Sequence, residues 1–141
     1  MDKSWSVSFD ITPISIDTST KDQYTNILHL TNGENVSRIY FAPNSFQLQF
    51  SAAINGKQHY YINEKNLTSG ITTKIVVRQR YSNNYYYQII IDGNVVHDTT
   101  NTDARTFENV EIYSDNSMYP PAFAFINNLN IGKVSHLLLL S

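Results

Sequence analysis

The sequence predicts an all-β domain, a two-sheet antiparallel sandwich, and three observations carry that expectation. Apolar and polar residues alternate with a period of two along most of the chain, the pattern of strands with one face in a core. Two Gly-containing turns, Asn55-Gly56 and Asp92-Gly93, stand between strand-like runs. Both central residues of such a turn can take positive φ, which matches the twist of the flanking strands. No window of ten or more residues places its apolar positions 3.6 apart, and β-branched and aromatic residues dominate, so no helix is expected.

The elements follow in order. Trp5, Val7, Phe9 and Ile11 alternate with Ser6, Ser8 and Asp10, a half-buried strand that Pro13 ends. Ile27 to Leu30 and Arg38 to Phe41 are two short strands separated by the turn signal Thr31-Asn32-Gly33. Phe46, Leu48 and Phe50 alternate with Gln47, Gln49 and Ser51, and after Asn55-Gly56 the chain returns over Gln58 to Ile62. Ile75 to Val77 and Tyr85 to Ile91 fill the middle of a sheet, joined by the polar turn Tyr81–Asn84. Beyond Asp92-Gly93-Asn94 the chain returns as Val95-Val96, then forms a strand over Phe107 to Tyr113. A polar loop, Ser114 to Pro121, leads into a last strand, Phe123 to Ile131. Some ten short strands with frequent turns make a sandwich. Trp5, Phe9, Phe46, Leu48, Phe50, Ile89, Ile91, Ile112 and Phe125 are the expected core.

Composition narrows the function classes. A chain of 141 residues reads as one domain, with a core over about residues 5–131 and a C-terminal tail over 132–141. Ten basic against twelve acidic residues leave a formal charge of −2, too balanced for the basic face that nucleic acid requires. Cysteine is absent, which excludes disulfides, thiolate catalysis and zinc–thiolate sites. Met1-Asp2-Lys3-Ser4 leads straight into a strand without the basic and apolar regions of a signal peptide, as either a domain cut from a longer secreted protein or a cytosolic protein would. The apolar run Leu137 to Leu140 is far short of the ~20 residues of a membrane span, so no membrane insertion is expected.

The order of the Asp92-Gly93 hairpin, then FENVEIY, SDNSMYPPA and FINNLNI, resembles the closing strands of concanavalin A-like jelly-roll domains, the lectin and glucanase superfamily. Laminin G-like and pentraxin-like domains of extracellular animal proteins are the nearest in kind, and WSVSFDITP and NILHLTN resemble the entry of such a domain. The resemblance runs from Trp5 to about Ile131. Two features depart from it: the cysteine pair common in laminin G domains is missing, and the loop reads Ser-Asp-Asn-Ser-Met where relatives often carry Pro-Trp. The galectin signatures His-x-Asn-Pro-Arg and Trp-Gly-x-Glu are also missing. The resemblance implies a jelly roll and non-catalytic recognition: lectin-like carbohydrate binding first, a protein-binding or adhesion module second. It also implies an extracellular setting within a secreted or surface protein.

Enzymes of this fold that cleave β-glucans carry carboxylates at i, i+2 and i+4 of one strand, where all point into the cleft. Glu108 and Glu111 are three apart and so face opposite ways, which argues against a glycosidase. The histidines His29, His59, His97 and His136 show no metal-ligand spacing, and no Gly-x-Ser-x-Gly elbow occurs. Asp115-Asn116 lies in the loop before Pro120-Pro121, and laminin G-like relatives can place Ca²⁺ at one rim of the sandwich; two oxygen donors are few against the six to eight Ca²⁺ takes, so an Asx-turn is the favoured reading of the pair. No cofactor is expected. Asn35-Val36-Ser37 and Asn66-Leu67-Thr68 match the N-glycosylation pattern in expected turns, which a chain this rich in Asn, Ser and Thr meets by chance.

The polar side of the central strands is the candidate recognition face. With Phe46, Leu48 and Phe50 inward, Gln47 and Gln49 point out; the next strands then show His59 and Tyr61, Arg78 and Arg80, and Tyr86 and Gln88. Planar amide and guanidinium groups pair with sugar hydroxyls and aromatic faces stack on a pyranose, although the same residues also suit any solvated sheet. Asn83, Asn84, Asp115, Asn116 and Tyr119 form the alternative, a rim site.

Overall fold

The computed structural model describes residues 3–16, 22–31, 35–105, 110–113, 119–132 and 138–140, with the side chains of 35, 58 and 138–140 left aside. Eleven strands are present: β1 (Trp5–Pro13), β2 (Thr25–Thr31), β3 (Asn35–Phe41), β4 (Gln47–Ile54), β5 (Lys57–Asn66), β6 (Thr73–Ser82), β7 (Asn84–Ile91), β8 (Asn94–Thr100), β9 (Glu111–Tyr113), β10 (Ala124–Gly132) and β11 (Leu138–Leu140). They form a five-stranded sheet, β10-β1-β6-β7-β8, and a six-stranded sheet, β11-β9-β2-β3-β4-β5. All named pairings are antiparallel except β9 with β11, which is parallel. The fold is an all-β jelly-roll sandwich, and the described residues contain no helix.

Turn chemistry sets the local connections. Asn55 and Gly56 have φ of 54° and 76°, and Asp92 and Gly93 have 48° and 82°, so both hairpins close on two left-handed residues. Between β6 and β7 a single turn residue, Asn83 at φ 63°, separates the paired Ser82 and Asn84. The polar turn expected over Tyr81–Asn84 is thus mostly strand. The β5–β6 connection, residues 67–72, behaves differently: it carries the chain out of the six-stranded sheet and sets β6 between β1 and β7 in the other. β5 and β6 are consecutive but not paired.

The core lies between the sheets. Trp5, Val7, Phe9, Ile11, Ile75, Val77, Tyr87, Ile89 and Ile91 face Leu28, Leu30, Ile39, Phe41, Leu48, Phe50, Ala52, Ile54 and Ile112. Phe46 is only partly buried, at 5.4 Å edge-on to Phe41. Phe125 departs from expectation: it is 62% exposed and pairs with Thr12 on the outward face. The cause is a β-bulge. Asp10 pairs with Asn127 and Ser8 with Asn130, so β10 carries one extra residue there, with Asn128 at φ 56°. An extra residue reverses the parity of everything before it. Ala124 and Ile126 therefore pack inward on one side of the bulge and Ile131 on the other.

Three further expectations change. The return strand after Asp92-Gly93 runs on to Thr100. The expected tail contains β11, paired with β9. Asn35 and Asn66 sit at strand ends, not in turns. The first part of the strand expected over Phe107 to Tyr113, and most of the loop Ser114 to Pro121, lie outside the described residues.

Candidate functional site

The eight residues of the expected recognition face do not share a face. Gln47 and Gln49 on β4 and His59 and Tyr61 on β5 belong to the six-stranded sheet. Arg78 and Arg80 on β6 and Tyr86 and Gln88 on β7 belong to the five-stranded sheet, across the core. The chain changes sheets at residues 67–72, and alternation within a strand carries no information about which sheet the strand joins.

On the five-stranded sheet these residues form a cross-strand relay. Arg78 Nε donates to Gln88 Oε1 at 2.8 Å, and Gln88 Nε2 donates to Asp98 Oδ2 at 3.1 Å. Gln88 is 7% exposed and its amide is occupied at both ends, so its part is to position Arg78. Arg80 is exposed and pairs with the half-buried Tyr86. The rim set divides as well. Asn83 and Asn84 line a hollow with Lys3, Tyr81, Tyr85 and Asp103, whereas Tyr119 belongs to the other sheet; Asp115 and Asn116 lie outside the described residues.

The outer face of the six-stranded sheet is built in cross-strand rows. Tyr40, Gln49 and Asn63 are adjacent on β3, β4 and β5, and His29, Arg38, Ser51 and Tyr61 make the next row from β2 to β5. Two tyrosines arrive from outside the strands. Tyr24 immediately precedes β2, and Tyr119 is held beside it because Asn26 N donates to Pro120 O at 2.7 Å and Ala122 N donates to Asn26 O at 2.9 Å. Tyr24, Tyr40 and Tyr119 pack with ring centroids 5.3, 5.4 and 5.7 Å apart. The Arg38 guanidinium carbon lies 5.8 Å from the Tyr119 ring centroid, a cation–π distance. His59 stacks on Tyr61 at 6.2 Å.

Tyr24, Tyr40, Gln49, Tyr61, Asn63 and Tyr119 line an open cleft of about 350 Å³. Its size falls within the usual range for small-ligand sites. No carboxylate, lysine or arginine is among those lining residues. Tyr40 is 2% exposed, and burial, then the Tyr61, Tyr119 and Tyr24 hydroxyls, push its phenol well above the usual range, so it stays protonated. Gln47 stands apart from this lining, at the end of β4 opposite Asn66. Of the cleft residues, Tyr24, Tyr40 and Asn63 were not anticipated from the sequence. Asn63 continues the i, i+2 series from His59 and Tyr61 and could have been found; Tyr24, outside any strand, gives no such signal.

His29 sits beside the cleft with its Nε2 3.4 Å from Arg38 Nη2. Burial, then the charges of Arg38 and His59, lower its pKa from 6.5 to about 4. Between those values the unfolded chain binds a proton that the folded chain does not, so folding stability falls as pH drops from 6.5 towards 4. Thermal melts at pH 7.5, 6 and 5 should show the decline, with a shallower slope in His29→Gln; equal slopes would assign the effect to other groups.

His97 points between the sheets, 6.0 and 6.2 Å from the Tyr60 and Tyr87 rings. Glu111 accepts the Tyr113 hydroxyl, while Glu108 and His136 lie outside the described residues. Among the described residues, no three His, Asp or Glu side chains gather as a metal site.

No family model matches the chain, and no curated protein matches it. Solved structures do. The receptor-binding domain of botulinum neurotoxin D superposes with a TM-score of 0.66 at 12% identity, over 93% of this chain and 34% of that one. A heptameric SAP-like pentraxin from Limulus polyphemus superposes at 0.59 with 8% identity, over 92% of this chain and 63% of that one. The likeness is one of fold. The fold shared is a β-sandwich, and the chain spans about a third of the length of the neurotoxin domains.

Proposed function

We propose that the chain is a non-catalytic recognition module that binds neutral carbohydrate in the tyrosine cleft of the six-stranded sheet. The observation that carries this reading is the lining itself: four tyrosines and two amides around an open cleft, with no charged side chain among them. Tyr61, 56% exposed, offers a ring face for stacking, while Gln49 and Asn63 each supply a donor and an acceptor to sugar hydroxyls. The likeness to receptor-binding domains and a pentraxin supports binding over catalysis, and supports an extracellular setting. The laminin G-like kinship belongs to the same proposal.

A glycan array with the purified protein tests it. Gln49→Ala and Tyr61→Ala should each weaken the best glycan by roughly 1–3 kcal/mol with little change in stability. Arg78→Ala should leave that affinity unaltered, since Arg78 lies on the other sheet. No metal is assigned to the site, so EDTA should change neither the melting temperature nor the array signal. A large drop in melting temperature would instead reveal a tightly bound ion, worth about 2.7 kcal/mol at a hundredfold excess over its dissociation constant.

A second reading, a protein-binding or adhesion module, is supported by an exposed apolar group at one end of the five-stranded sheet. Ile14, Ile71, Phe123 and Phe125 are all exposed there, tied together by the Ile14 N–Phe123 O and Thr12–Thr72 hydrogen bonds. One structural neighbour is described in complex with rat synaptotagmin II, superposing at 0.50 with 14% identity over 90% of this chain and 28% of that one. A silent glycan array together with a pull-down that depends on Phe125 would favour this second reading.

A further inference from the structure

We infer that the outer face of the five-stranded sheet carries a second, separate binding site, one for an oxyanion presented as a carboxylate, sulfate or phosphate group. A cleft there is lined by Ser4, Trp5, Ser6, Arg78, Arg80 and Gly132, with Gln79 and Tyr81 at its end. No carboxylate is among its lining residues. The side chains follow from the register. Ser6 pairs with Arg78 on one side and with Gly132 on the other, so small residues form a trough beside a ridge of two arginines. A Cβ on Gly132 would lie only 2.8 Å from Ser6 Oγ, so glycine is what keeps the trough open.

The arginines are prepared for a ligand in different ways. Arg78 is held by its Nε to Gln88, itself held by Asp98, and this leaves the two Nη groups with no partner among the described residues. A guanidinium fixed in this manner presents the planar fork that matches an oxyanion through two parallel hydrogen bonds. Arg80, two residues on and on the same side of β6, is exposed and has no bonded partner among the described residues. The nearest carboxylate of the relay, Asp98, lies behind Gln88 on β8, where it orients the relay without closing the cleft. Trp5 and Gln79 border this cleft, but their side chains turn inward, Trp5 packing at 6.5 Å on the buried Tyr87 ring, so the ligand-facing donors are the two arginines. Two free guanidinium edges beside an open small-residue trough make a donor-rich pocket with no carboxylate in its lining.

The test is an NMR titration of the whole chain, isotope-labelled, with inorganic sulfate, inorganic phosphate, a sulfated oligosaccharide and its desulfated counterpart. Saturable shifts centred on the Arg78 and Arg80 side-chain N–H groups and the backbone N–H groups of Ser6 and Gly132 are expected. The Arg78→Ala/Arg80→Ala double variant should weaken binding at least about tenfold, and Arg78→Lys should also weaken it, because a lysine keeps the charge but loses the fork. Melting curves confirm that each variant is folded. Removing two charges elsewhere, in Lys57→Ala/Lys65→Ala, should change nothing, and neither should Tyr61→Ala. Tighter binding of the sulfated sugar than of either free ion identifies an acidic glycan as the source of the group; equal binding identifies the free ion. Non-saturating shifts spread over every Lys and Arg, or unchanged affinity in the double variant, would overturn the site.

Discussion

Phe50→Ala is expected to lower the free energy of unfolding by about 3–5 kcal/mol, the usual cost of truncating a fully buried aromatic side chain. Phe50 is completely buried in the middle of β4, with Ile39 across one strand boundary and Ile62 across the other. Its ring therefore fills the layer between the sheets from the centre of the six-stranded one. Two contributions add up: the transfer energy of the ring, and the cavity left because neighbours pinned by sheet hydrogen bonds collapse only partly. Urea denaturation of the two proteins measures the difference. A loss under roughly 1 kcal/mol would mean that Phe50 does not sit between the sheets.

Asn101→Ala should be nearly as damaging, at about 2–4 kcal/mol, although it removes only a small polar side chain. Asn101 is buried just after β8, and its Nδ2 donates to Gln79 Oε1 at 2.8 Å. Its Oδ1 accepts from Asn55 N at 3.0 Å and from Asp103 N at 3.1 Å. Gln79 in turn donates to Lys3 O at 2.7 Å. One amide thus joins the β4–β5 turn of one sheet to β6 and the N-terminal segment of the other. Removing it strands several polar groups where water reaches poorly, and leaving such groups unpaired costs more than the bonds contribute. Pairing Asn101→Ala with Gln79→Leu gives a double-mutant cycle. A strong favourable coupling is expected, because Leu removes the orphaned Gln79 carbonyl; additive losses would show that the two amides act independently.

Much of the fold could be read in the chain because alternation and turn chemistry are local. Trp5, Val7, Phe9 and Ile11 announce their own inward face, and Asp92-Gly93 its own turn. What escaped depends on distant partners. Nothing within β6 says that it pairs with β1 rather than β5, so Arg78 and Gln49 were read as neighbours when the core separates them. Phe125 failed for a related reason: its parity is reset by the extra residue at Asn128, and no breaker marks that place in Phe-Ile-Asn-Asn-Leu-Asn-Ile. The cleft was half legible. Gln49 and Tyr61 follow from alternation, whereas Tyr24 and Tyr119 reach it from segments that only tertiary hydrogen bonds bring together.

The bulge at Asn128 has a consequence for how this protein meets other chains. β10 is a nine-residue border of its sheet, with neither proline nor charge along its length, the composition of a strand that invites a stranger to pair. A visiting strand needs an unbroken two-residue repeat to keep exchanging hydrogen bonds. It would find one only from Ala124 to Asn127, after which the offset backbone no longer presents its groups in step. A single surplus asparagine thus does the protective work that lysine or proline does on other sheet borders, guarding against uncontrolled stacking.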